Sequence, residues 1–164
     1  MSILNTPSQY GLVSRGLHWI IVLAILAQWL LAEAGDAALP LHQSVGISIV
    51  VVALIRLAWR LVNPAPAWPR DMKPYEIRLA RVVHVALYVL LFAIPISGWA
   101  LSSVEDEPLR FFNAFDLPRI ALGSEDTLEE VHEALFNGLL ALAALHVLGA
   151  VKHWFAGHRG AAIH

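Results

Sequence analysis

The chain has 164 residues, of which 58% are hydrophobic and 15% charged, with a mean hydropathy of +0.63 and a formal net charge of -2. Soluble domains average about 45–50% apolar and about 25% charged residues, so an ordinary water-soluble fold is excluded, and the near-neutral charge excludes a nucleic-acid partner. There is no cysteine, and Met1 and Met72 both lie outside the apolar runs. Disulfides, thiolate-held iron–sulfur clusters, c-type haem attachment and axial methionine ligation are therefore ruled out, and the eight histidines are the candidate ligands for any cofactor.

Four apolar runs follow one another: Leu17 to Ala32, Val45 to Val62, Val82 to Val104 and Ala134 to Val151. Each approaches the roughly 20 residues that cross a bilayer, and backbone in lipid must bond internally, which predicts helices. The expected fold is all-α, an integral membrane four-helix bundle in a single domain over 1–164, with helices at roughly 15–34, 41–62, 78–103 and 127–156. Ala32, Glu33 and Ala34 also resemble a signal-peptide cleavage site, but the run before them carries a histidine and exceeds the usual length of such a region. Between the second and third helices, Pro64, Pro66, Pro69 and Pro74 predict an extended loop.

Charge divides by loop. Arg15, Arg56, Arg60, Arg70, Lys73, Arg78, Arg81, Lys152 and Arg159 fall on one side of the predicted bundle. The other side has Glu33, Asp36 and, between Glu105 and Glu133, nine acids against Arg110 and Arg119. The positive-inside rule then predicts cytoplasmic N- and C-termini. Trp19, Trp59, Trp99 and Trp154 fit an interfacial belt, whereas Trp29 and Trp68 are less diagnostic.

Ionisable groups in a membrane segment are costly and point to function. His18 opens the first helix on the basic side, His42 the second on the acidic side and His84 the third on the basic side, while the fourth carries His132, His146 and His153. His132 and His146 are fourteen residues apart. That is about 1400° of helix, close to four full turns, so both face one way, roughly 21 Å apart along the axis. Such a span is far too long for one zinc ion, and two stacked sites are expected. A haem iron without Met or Cys needs imidazoles from two helices. By depth, His42 partners His132, and His18 is the better match for His146, with His84 its competitor. Gly46, Gly138 and Gly149 would let a macrocycle approach. Arg56 and Arg60 could pair with haem propionates, although snorkelling to the interface is the expected role. Any one of these histidines could be a simple interfacial residue, and His158 and His164 are expected to be solvated in the tail. It is the joint pattern that points to bis-imidazole haem.

The stretches LHWIIV at His18, LHQSVGISIVVVALIRLAWRL at His42, HVALYVLLFAIPISGW at His84 and VHEALFNGLLALAALHVLGAVKHWF around His132, His146 and His153 resemble, over nearly the whole chain, the prokaryotic cytochrome b561 family of four-helix dihaem inner-membrane proteins. The resemblance is closest, in size and layout, to members acting as superoxide:ubiquinone oxidoreductases. It implies two haem b groups, His18 with His146 for the inner one and His42 with His132 for the outer one. It also implies a quinone site involving Lys73, His84 and His153. Implied, too, is a multi-pass protein of the bacterial inner membrane in contact with superoxide, ubiquinone and the lipid bilayer. Two other functions are weighed beside it: an anchor passing electrons between a periplasmic redox partner and the quinone pool, and a colourless transporter using histidines as proton relays.

Overall fold

The computed structural model describes residues 2–69, 72–104, 109–120 and 122–161, without side-chain detail at 154 and 156–161. The predicted roles of Arg70, Glu105, Asp106, Glu107 and His164, and of the Trp154, His158 and Arg159 side chains, lie outside the described residues.

Four helices form: α1 (Leu12–Glu33), α2 (Leu39–Val62), α3 (Pro74–Val104) and α4 (Glu125–Ala161). Each is long and apolar enough to cross a membrane. Starts differ from the predicted ones where local chemistry extends a helix. Proline needs no hydrogen-bond partner at a first helical position, and the Glu76 carboxylate accepts from the Lys73 backbone N–H at 2.9 Å, so α3 begins at Pro74. Glu125 and Asp126 supply negative charge in the first turn of α4, where the helix dipole favours it. Ala34, Gly35 and a 3-10 turn (Asp36–Ala38) are all that separate α1 from α2, and the two pack against each other.

Close packing runs α1 on α2, α2 on α3 and α3 on α4. Few side chains are fully enclosed: Ile49, Ala53, Val83, Ala100 and Leu139 are among them, while Leu23, Leu54, Val85 and Leu148 are exposed along the helix faces. Apolar side chains pointing outward are what lipid requires.

Among the described residues one hairpin forms, β1 (Arg110–Phe111) and β2 (Phe115–Asp116), paired antiparallel with Arg110 opposite Asp116. Phe112 and Asn113 at its tip have φ of 46° and 59°, the left-handed geometry of a tight hairpin turn. Ser44 of α2, 1% exposed, holds the hairpin down. Its Oγ accepts from Phe112 N–H at 2.9 Å and shares its one proton between the Pro40 and Arg110 carbonyls, at 2.8 and 3.1 Å.

Candidate functional site

Two histidine pairs stand at opposite ends of the bundle. The acidic end brings His42 of α2 to His132 of α4, ring centroids 6.4 Å apart and planes at 67°. The basic end brings His18 of α1 to His146 of α4, at 6.1 Å and 70°. A metal–imidazole bond of about 2.0 Å plus about 1.1 Å from nitrogen to ring centre places two rings on opposite sides of one metal about 6.2 Å apart. Both pairs meet that separation. Among the described residues, no group of three or more His, Asp or Glu converges on a point, so the pattern suits a macrocycle with two axial ligands better than a bare ion.

The acidic-end pair borders a cavity of about 580 Å³ walled by Ile25, Gln28, Ile94 and Phe136. The size and the apolar lining with few polar groups fit a flat organic cofactor. Gln28 Oε1 is buried there without a partner. His42 Nδ1 meets the Gln28 carbonyl at 3.3 Å, and a carbonyl can only accept, so Nδ1 carries the proton and Nε2 is left bare. The residues present therefore fit a bis-histidine haem. Of the glycines expected to make room, Gly46 faces Gln28, whose Nε2 would lie 2.9 Å from an added Cβ, and Gly138 approaches Leu90, while Gly149 has open space around it. A glycine that sequence reasoning passed over is the tightest against a ligand ring: at Gly98 a Cβ would lie 3.1 Å from His132 Cε1.

His84 does not make a second pair of the same kind. Its ring centroid is 5.1 Å from that of His146, too short for two rings sharing one metal from opposite sides, and its plane lies within 16° of Trp68 at 6.3 Å. Its Nδ1 is buried without a hydrogen bond. Among the described residues His84 has no ring contact or hydrogen bond with Lys73 or His153, and Lys73 immediately precedes α3. Lys73 caps α3 through Glu76, with Nζ 6.0 Å from the Tyr75 ring, and Glu76 forms an ion pair with Lys152, the neighbour of His153.

The snorkelling expected of Arg56 gives way to a different arrangement. Its Nη1 donates to the Ser14 carbonyl at 3.0 Å and its Nε to Tyr88 Oη at 3.1 Å, tying α1, α2 and α3 together because both acceptors lie within reach inside the bundle. Arg60 is exposed, and both arginines border a water-sized cavity of about 30 Å³ with Tyr10, Ser14 and Tyr88. Ser14, Tyr88 and Gln28 were not marked by the sequence, where a polar residue within a helix carries no spacing signal.

Residues 9–162 match the family described as prokaryotic cytochrome b561. The chain is 33% identical to Cytochrome b561 homolog 2 of Escherichia coli (strain K12), covering 94% of this chain and 89% of the relative. It is 27% identical to the Probable superoxide oxidase CybB of Yersinia pestis, covering 90% and 89%. To Cytochrome b561 homolog 1 of Escherichia coli (strain K12) it is 25% identical, covering 85% and 86%.

Proposed function

The chain belongs to the prokaryotic cytochrome b561 family of multi-pass membrane electron-transfer proteins, for which b-type haem is the implied cofactor, and we propose that it is a dihaem superoxide:ubiquinone oxidoreductase of the bacterial inner membrane. The observation that carries this reading is the pair of imidazole pairs, at 6.1 and 6.4 Å, set at opposite ends of a membrane-spanning bundle. The name of the Yersinia pestis relative supports the choice of substrate.

His42 and His132 hold one haem b near the periplasmic surface, and His18 and His146 hold the other near the cytoplasmic surface, where both termini lie. Haem b when bound supplies a reversible one-electron couple on each side. Two superoxide ions give up one electron each and leave as two dioxygen molecules, and one ubiquinone takes up those two electrons with two protons. Arg56, half-buried among Ser14 and Tyr88, and Arg60 beside it offer guanidinium groups to haem propionates. His84, whose Nδ1 lacks a protein partner, offers a hydrogen bond to a quinone oxygen, and Trp68 parallel to it offers a flat apolar wall. Lys73 and His153, at the aqueous edge, relay protons to that oxygen.

Stopped-flow mixing of the purified, haem-loaded protein with superoxide tests the reading. Rapid haem reduction, followed by reoxidation only when ubiquinone is present, is expected. Haems that stay oxidised under superoxide exclude it.

A second reading has an observation of its own. The acidic end repels an anion, and Arg110, one of two bases there, is already paired with Asp116 at 2.9 Å. Such a surface suits a basic periplasmic redox protein that would hand electrons to the same sites.

A further inference from the structure

His132 is held more firmly than any other ring of the two pairs. Ser97 on α3 is 8% exposed; its hydroxyl donates to the Ile94 carbonyl at 2.8 Å and lies 2.9 Å from His132 Nδ1. A hydroxyl has one proton, and with that proton on Ile94 the second contact is made by the ring N–H donating to Oγ. Nε2 is then the bare nitrogen, the form in which imidazole ligates iron. Gly98 completes the seat, since a Cβ there would stand 3.1 Å from His132 Cε1 and 3.4 Å from Nδ1. On the other side of the cavity His42 has the longer contact to the Gln28 carbonyl, 3.3 Å. At the basic end, neither His18 nor His146 has a hydrogen-bond partner among the described residues.

We propose that Ser97 is a positioning residue that fixes the tautomer of His132 and strengthens it as an axial ligand, giving the haem at the acidic end the lower reduction potential of the two. The inference rests on the dihaem reading above. A hydrogen bond from one ring nitrogen to an acceptor raises the basicity of the other, as carboxylates and carbonyls do behind metal-bound histidines. A more basic ligand favours ferric over ferrous iron and so lowers the potential. With such acceptors, among the described residues, at the acidic end only, the protein itself makes transfer towards the basic end downhill. His18 and His146 need no counterpart of Ser97, because the higher-potential site is the one left without such acceptors.

Potentiometric titration of the purified, haem-loaded protein, followed by visible absorption, provides the test. Two one-electron components are expected. Ser97→Ala should raise the lower one by about 59 mV, the equivalent of a tenfold loss of ferric preference, and leave the upper one in place. Ser97→Thr, which keeps the hydroxyl, should hold the wild-type value, and Ser97→Cys, a weak acceptor, should fall between. The component that survives in His146→Ala belongs to the acidic end and should be the lower. Movement of the upper component alone, or a surviving component that is the upper one, overturns the proposal. If Ser97→Ala loses its haem, the Cys variant decides: a lower component at its wild-type potential overturns the proposal. A wild-type protein holding fewer than two haems overturns the dihaem reading and this inference with it, whereas two haems with an unmoved lower component in Ser97→Ala overturn this inference alone.

Discussion

The ligand assignment rests on single side chains, and two substitutions separate the competing partners of His146. His146→Ala should leave one haem per chain, because the ring 6.1 Å from His18 is gone while the His42 and His132 pair is untouched. His84→Ala should retain both haems and weaken quinone reduction, since its ring, 5.1 Å from His146, is too close to share a metal across two faces. Haem-to-protein ratios of the two variants check this, and loss of a haem from His84→Ala would make His84 the ligand instead of His18. The histidines were legible in the sequence because an ionisable group within an apolar run is conspicuous, and a separation of fourteen residues fixes both phase and depth on one helix. Ser97 and Gln28 were not legible. Each acts through a hydrogen bond to a residue on another helix, which no local pattern encodes. The contacts of Arg56 were not legible for the same reason: its acceptors, the Ser14 carbonyl and Tyr88, come from α1 and α3.

Among the elements, the helices were legible and the hairpin was not. Runs of apolar residues long enough to span a bilayer leave little choice of structure, and only the ends shifted, where Pro74 and the Glu76 cap carry α3 back beyond its apolar stretch. The hairpin consists of two-residue strands, too short for an alternating pattern, and its tip uses Phe112 and Asn113 in place of the usual glycine. What stabilises it is a distant residue, Ser44, buried two positions after His42. Ser44→Ala removes the acceptor of the Phe112 N–H and should cost about 0.5–1.5 kcal/mol, the net worth of one hydrogen bond. A lower melting temperature in detergent, together with faster proteolysis between Arg110 and Asp116, is the expected result. Unchanged cleavage would mean that the Arg110 to Asp116 pairing alone holds the strands.

On the scale of the whole molecule, a net charge of -2 hides a strong division between the ends. Between Glu105 and Glu133 nine acids face two bases, and the described acids Glu125, Asp126, Glu129 and Glu130 are exposed. On the proposed orientation this field surrounds the approach to His42 and His132 from the periplasm. A negative field slows the encounter of an anion and speeds that of a cation, and salt weakens both effects. The screening length falls from about 30 Å at 0.01 M salt to about 8 Å at 0.15 M, so this range is wide enough to switch off most of the end's charge. If superoxide is the donor, its rate of haem reduction should rise severalfold over that range. If a basic redox protein is the donor, its rate should fall steeply instead. Measuring haem reduction by each donor across the salt series separates the two, because electrostatic steering has opposite sign for them while the haems and quinone stay the same. A superoxide rate independent of salt would show that the anion reaches the site by a path shielded from the acidic face, and Arg110→Gln, which frees Asp116 from its pair, should then leave that rate unchanged as well.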